Sequence, residues 1–245
     1  MKKKALITIA LLTICYAGLF SQTESLLRLR RDVAVLAADS LMGREAGTSG
    51  EKKAARYIER EFTKAGVTLL YPSPGQDFSI IAAEGDTLKS ANIIGVVEGW
   101  DPKLRDQYIL IGAHYDHLGT TVLSINGRDS LMIFAGADDN ASGVAVMLEV
   151  ARMVKESSME FRRSVLFVAF GAEERGMTGS WYFVNRAFAP IDEVSLMINL
   201  DMVGRASDRQ SVSAYTVLPH AQLVILLKDV ADMPLMISPK IHTAD

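Results

Sequence analysis

Four short motifs in this 245-residue chain carry side chains that can hold metal ions or move protons. They are GAHYDHLG, with His114 and Asp116; GADDNASG, with Asp139; FGAEERG, with Glu173 and Glu174; and INLDMVG, with Asp201. Each follows an apolar run. One imidazole with several carboxylates and no sulfur is a donor set that suits zinc, and also cobalt or manganese. Two such ions bridged by one carboxylate would clamp a water, lower its pKa and polarise a scissile carbonyl.

Taken singly, each motif has a plainer reading. His114 and Asp116 are two apart, so on extended backbone they point the same way. Asp116 could then support the imidazole from behind, or the two could form an ordinary surface pair. Asp138, Asp139 and Asn140 precede a helical pattern, where Asp and Asn serve equally well as N-caps. Glu173 and Glu174 end an apolar run and must point in different directions. One could ligate a metal while the other acts as general base, or both could join a solvated cluster with Arg175. Asp201 lies between Leu200 and Met202, where a charge needs a metal or a partner such as Arg205. Four coincidences at successive strand ends are harder to accept than one site.

The elements that would position these residues are legible as periodicities. Leu26, Leu29, Val33 and Leu36 recur at helical spacing, as do Ala54, Ile58, Phe62 and Ala65. Thr48 with Glu51 reads as a capping box and Gly66 as a stop. Phe78–Ala82 and Ala91–Val97 read as a strand pair with a turn at Gly85–Asp86. Tyr108–Ala113, Ser164–Phe170 and Val194–Leu200 read as buried strands. They alternate with helices over Ala141–Val154 and Met177–Phe188. A long loop with the turn pair Asn126–Gly127 lies between. Val212–Val217 reads as a further strand and Ala221–Val230 as a helix. Such alternation implies right-handed crossovers and a three-layer α/β fold: a mostly parallel, mixed central sheet with helices on both faces. In such sheets ligands bind beyond the carboxyl ends of the strands, where all four motifs fall.

The chain is 49% hydrophobic, enough for one large core. Its formal net charge is −3, so a nucleic-acid partner has no electrostatic support. Lys2, Lys3 and Lys4 precede an uncharged apolar stretch, Ala5–Phe20, which reads as an export signal ending near residue 21. The expected location is periplasmic or secreted. An uncleaved membrane anchor is the alternative. The only cysteine, Cys15, lies in that stretch. Ile14 before it does not match a lipidation site. Disulfides and thiolate zinc sites are thereby excluded from residues 22–245.

The motifs, together with the lead-in LAADSLMGREAGTSGEKKAARYIEREF, resemble the di-zinc aminopeptidases that include secreted bacterial leucyl aminopeptidases. Glutaminyl cyclases and glutamate carboxypeptidases are relatives. The resemblance runs from about Leu27 to Pro239 and implies a zinc-exopeptidase fold over residues 22–245. It implies that His114 and Asp201 bind one zinc, that Asp139 bridges, and that Glu174 binds the second. Glu173 would be the general base activating a bridging water, and Asp116 would orient His114. Peptide or protein N-termini would be the substrates. A carboxypeptidase, a cyclase or a non-catalytic binding module on the same fold are the alternatives.

One departure concerns the second zinc. The family completes that site with a late histidine after a Ser-Asp-His segment. His242, in KIHTAD, resembles the late motif but follows Asp201 too soon. It reads as a polar-loop residue, so the chain looks C-terminally truncated, with one zinc site complete and the other short of a ligand.

Overall fold

The computed structural model describes residues 23–81 and 85–205, and the backbone of two short strands at 212–215 and 235–238. Residues 1–22, with Cys15 and the expected signal, lie outside the described residues, as do the expected helix Ala221–Val230 and His242. The chain divides into two compact units, Met1–Met202 and Val203–Asp245.

The first unit opens with helix α1 (residues 23–36) and a 3-10 segment, Asp39–Arg44. Helix α2 follows at Ser49–Lys64. The Thr48 side chain accepts the Glu51 amide, as the capping box requires, while the Glu51 carboxylate reaches one residue further back, to the Gly47 amide. Gly66, with φ +73°, follows the end of α2. Only the last turn of α1 joins the apolar core. Leu36 is buried and Val33 partly so, whereas Leu26 is exposed. The rest of α1 is held by charge, because Asp32 is fully buried and bonded to Tyr57 of α2 and to Arg152.

Six strands form the central sheet: β1 (Thr68–Leu69), β2 (Gln76–Ile81), β3 (Thr87–Val97), β4 (Tyr108–His114), β7 (Ser164–Phe170) and β8 (Val194–Asn199). Their order is β1-β3-β7-β4-β8, with β2 also on β3. The pairings of β7 with β4 and of β4 with β8 are parallel, and those made by β1, β2 and β3 are antiparallel. The sheet is therefore mixed, and the expected hairpin is the β2–β3 pair.

Every residue of β7 is buried, and its side chains alternate between two cores. Val165, Phe167 and Ala169 face α2 and α3 (Gly143–Glu156), where they meet Ile58, Phe62, Val144 and Leu148. Leu166, Val168 and Phe170 face the other side, against Phe183 and Phe188. Helices thus cover both faces.

Two elements differ from the sequence expectation. The loop around Asn126–Gly127 is a hairpin, β5 (Thr120–Ile125) with β6 (Arg128–Ile133). Both turn residues have positive φ, as a two-residue hairpin turn requires. The expected helix Met177–Phe188 breaks into α4 (Thr178–Tyr182) and a wide π turn, Phe183–Ala187. The Phe188 amide bonds to the carbonyl of Phe183, and the two rings stack with centroids 4.8 Å apart. In a regular α-helix, residues five apart point roughly 140° away from each other. The wider turn puts both rings into one core.

The second unit contains β9 (Val212–Tyr215) and β10 (Leu235–Ser238), which pair in parallel. The expected strand Val212–Val217 is described only over β9.

Candidate metal centre

Three adjacent parallel strands end at one level. His114, the last residue of β4, pairs with Phe170, the last of β7. On the other side Gly112 pairs with Asn199 of β8, which brings Asp201 to the level of His114. The Leu200 amide continues the ladder to the Gly112 carbonyl at 2.8 Å. The buried His114 ring points its Nε2 at two carboxylates, 3.1 Å from Asp139 Oδ1 and 3.5 Å from Asp201 Oδ1.

Asp139 is free to face the site because its neighbour does the capping. Asn140 Oδ1 accepts the Gly143 amide at the start of α3, and its Nδ2 donates to the Leu200 carbonyl. Asn140 also accepts the Met202 amide, so it ties α3 to the segment carrying Asp201. Gly143 is needed here. A Cβ would lie 2.3 Å from Asn140 Oδ1 and 2.4 Å from the Leu200 carbonyl.

Glu173 and Glu174 lie just past β7, after Ala172 at φ +54°. A second strained residue, Met202 at φ +49°, follows Asp201. Such left-handed non-glycine residues cost about 1–3 kcal/mol each and cluster where geometry is enforced for function. Asp116, fully buried, accepts both the Glu173 amide at 2.9 Å and the Glu174 amide at 3.2 Å. Its Oδ1 lies 3.8 Å from His114 Nδ1, beyond hydrogen-bond length. Asp116 therefore braces the β7 loop directly and stands only in contact with His114. Arg175, the charge that could have neutralised the two glutamates, pairs instead with Glu45 at 2.6 Å.

Two site residues were not evident from the motifs. The first is His117, three positions after His114 and buried, whose Nδ1 lies 2.8 Å from Glu174 Oε1 and 3.9 Å from Asp139 Oδ2. The second histidine in GAHYDHLG was the available signal. The other is Arg44, buried despite its charge. Its guanidinium donates to the carbonyls of Leu36, Tyr115, Ala135 and Gly136, and its own carbonyl accepts the His117 amide. It thus fixes the loops that present His117 and Asp139. Burial lowers its pKa to about 10, against the pull of Asp116 and Asp139.

The result is two ligand triads sharing one carboxylate: His114, Asp139 and Asp201, and His117, Asp139 and Glu174. Ligand atoms around a tetrahedral ion with bonds of about 2.0–2.1 Å stand roughly 3.3 Å apart. The observed 2.8–3.9 Å separations bracket that value. The electrostatics also ask for a cation. Burial opposes a charge on His114, yet Asp116, Asp201 and Glu173 outweigh it and push its pKa up to about 10. Burial raises the pKa of Glu173, the neighbouring acids add to the effect, and His114 opposes it. His114 Nδ1 is buried without a hydrogen-bond partner, so this ring meets its neighbours through Nε2. The residues present fit a pair of divalent ions. A cavity of about 230 Å³ opens beside the second triad, lined by Glu45, Ala46, His117, Leu118, Glu174 and Arg175. A larger one, about 360 Å³, lies between α2 and the β2–β3 hairpin, and no triad residue lines it.

The model of peptidase family M28 matches residues 92–231, more than half of the chain and all of the triads. The chain belongs to peptidase family M28. Among curated relatives, aminopeptidase YwaD of Bacillus subtilis is 36% identical over 123 residues, covering 50% of this chain and 24% of YwaD. The matched stretches span about a quarter to a third of the first curated relatives. Among solved structures, a Zn-dependent exopeptidase from Parabacteroides distasonis superposes with TM-score 0.63 at 20% identity, over 86% of this chain and 76% of that one. The glutaminyl cyclase of Tannerella forsythia superposes with TM-score 0.61 at 20% identity, over 88% and 77%. These likenesses establish the M28 chain's α/β fold.

Proposed function

We propose that this M28 chain is a zinc-dependent aminopeptidase acting on peptide or protein N-termini. The observation that carries the reading is Asp139, whose two oxygens face two different imidazoles, 3.1 Å from His114 and 3.9 Å from His117. One carboxylate shared by two triads suits a pair of ions rather than one. The zinc named for the P. distasonis exopeptidase and the activity named for YwaD agree with it. The expected roles of His114, Asp139, Glu174 and Asp201 as ligands belong to the same proposal.

Bound zinc would supply Lewis acidity toward the scissile carbonyl and lower the pKa of a nearby water. The remaining work falls to the chain. Glu173 is half-buried, and its carboxylate accepts no hydrogen bond among the described residues. Its raised pKa brings it nearer to neutrality, as suits a general base. It would take a proton from the attacking water and hand it to the departing amine. Asp116 holds the Glu173 and Glu174 amides, fixing where that carboxylate can reach. An exported location is part of the proposal, supported by Lys2–Lys4 followed by the apolar stretch Ala5–Phe20.

A panel of aminoacyl-p-nitroanilides tests the activity. Turnover is expected, abolished by chelator and restored by zinc. Glu173→Gln should lower kcat by about 10²–10⁴-fold with metal content unchanged. Chelator-resistant turnover, or full activity in Glu173→Gln, would refute the proposal.

A further inference from the structure

We infer that the cavity between α2 and the β2–β3 hairpin is a second binding site, separate from the metal centre and built for a small zwitterion of the amino-acid class. Its volume of about 360 Å³ is at the small end of ligand pockets. No triad residue lines it, so binding there needs no metal.

Three observations carry it. The first is charge without pairing. Lys52, Arg56 and Lys89 line the cavity together with Glu51, Glu59 and Asp77, and no ion pair forms among the six. The three cations are exposed at the rim. Lys52 and Arg56 stand one turn apart on α2, where like charges repel unless an anion lies between them.

The second is Glu59. It is buried, and its Oε1 has no hydrogen-bond partner. Only one other side-chain atom among the described residues shares that state, His114 Nδ1 at the metal centre. Its other oxygen, Oε2, accepts the Ser73 hydroxyl at 3.0 Å, which holds the carboxylate at the cavity wall. A buried carboxylate oxygen without a donor is costly, and an ammonium group would relieve it.

The third is a preformed apolar floor. Ala55, Ala91 and Tyr115 are all buried, and the Tyr115 hydroxyl donates to the Ala91 carbonyl at 2.8 Å. Glu51 is already satisfied by the Ser90 hydroxyl and the Gly47 amide. The rim cations thus suit a carboxylate, Glu59 an ammonium, and the floor an apolar side chain between them. A simple anion would leave Glu59 without a donor, and a simple amine would leave the cations unpaired.

Equilibrium dialysis of the full chain against radiolabelled L-leucine tests the site, with zinc and with chelator. One equivalent that survives the chelator is expected, and Asp139→Asn should keep it. Leucinamide lacks the carboxylate and N-acetyl-leucine lacks the ammonium. Each should displace the label about tenfold more weakly than leucine, or worse, as loss of one charged hydrogen bond implies. Arg56→Ala and Lys89→Ala, both at exposed positions, should weaken leucine by a similar factor and leave leucinamide unchanged. Glu59→Gln should weaken leucine and leave N-acetyl-leucine unchanged. Far-UV circular dichroism of the two exposed variants should match wild type, so they serve even where Glu59→Gln fails to fold.

No saturable binding at millimolar leucine would overturn the inference, as would binding abolished by chelator, which would seat leucine at the metal centre. Binding indifferent to both Arg56→Ala and Lys89→Ala, or leucinamide binding as tightly as leucine, would do the same.

Discussion

Two clusters of acids in this chain, one buried and one partly open to solvent, are treated in opposite ways. At the junction of α1, α2 and α3, Asp32, Glu61 and Glu149 are surrounded by cations. Arg152 bridges all three at 3.0 Å, Arg28 holds Glu149 at 2.7 Å, and Arg31 and Lys64 hold Glu61. At the strand ends, Asp116, Asp139, Glu173, Glu174 and Asp201 crowd together with only two histidines for ion partners among the described residues. The nearby arginines are spent elsewhere, Arg44 on carbonyls and Arg175 on Glu45. The first arrangement is complete as protein and serves to dock α1. The second leaves negative charge uncompensated at the place where three parallel strands end. Acids balanced by arginine hold the fold, and acids left unbalanced mark the site.

The comparison breaks most visibly at Asp32. Asp32→Ala removes a fully buried carboxylate from Arg152, which keeps Glu61 and Glu149, and takes the acceptor from the Tyr57 hydroxyl. Removing one partner of a buried ion pair costs about 3–5 kcal/mol. Urea unfolding should show that loss while zinc content stays at the wild-type value. A loss below about 1 kcal/mol would mean that the α1 junction does not depend on its charges.

The pH dependence of the metal-free chain separates a balanced acid from an unbalanced one. Burial alone would raise Glu149, but bonds from Arg28, Ser25 and Arg152 bring its pKa down to about 2. Its stabilising contribution is therefore full above pH 4.5, the ordinary glutamate value, and is lost as pH falls toward 2. Glu51, behind the site, is pushed up to about 7 by burial, against hydrogen bonds from Ser90 and the Gly47 amide. Folding favours its protonated form, so its contribution is full below pH 4.5 and lost as pH rises through 7. Denaturant midpoints across pH 3–9 should rise out of acid and then decline toward neutrality. Glu51→Gln should remove the decline and leave the acid limb unchanged.

The smallest expected effect is at the site itself. Asp201 is 48% exposed at its side chain, and the buried His114 beside it keeps Asp139 as a partner when Asp201 is replaced. Asp201→Asn should change metal-free stability by no more than about 0.5 kcal/mol. That near-silence, set against Asp32→Ala, sharpens the distinction between the clusters.

Much of this could be read from the sequence, and the exceptions have physical causes. β4, β7 and β8 are legible because central parallel strands, covered on both faces, read as continuous apolar runs. The acids stand out because they end those runs. The β5–β6 hairpin was not legible beyond its turn, since Val122, Leu123 and Leu131 are exposed and leave no buried face for alternation to report. The break after Tyr182 follows from a tertiary demand, two phenylalanines sharing one core. Local sequence could not decide whether Asp139 or Asn140 caps α3. The structure gives the cap to Asn140 and frees Asp139. Arg44 sits in a polar glycine-rich stretch, and nothing local signals that it turns inward to serve the nearby Leu36 carbonyl and carbonyls from two distant segments. His117 was visible as a letter, but its relation to Glu174 requires the β7 loop to be braced by Asp116.

The most direct test of the shared-carboxylate account is thermal unfolding of wild type and Asp139→Asn with chelator and with zinc. Zinc bound only by the folded state adds stability, by about 4 kcal/mol at a thousandfold excess over Kd. Wild type should melt at markedly higher temperature with zinc, while Asp139→Asn should gain little because both triads lose the same ligand. Equal zinc shifts in the two proteins, or none in wild type, would contradict the account.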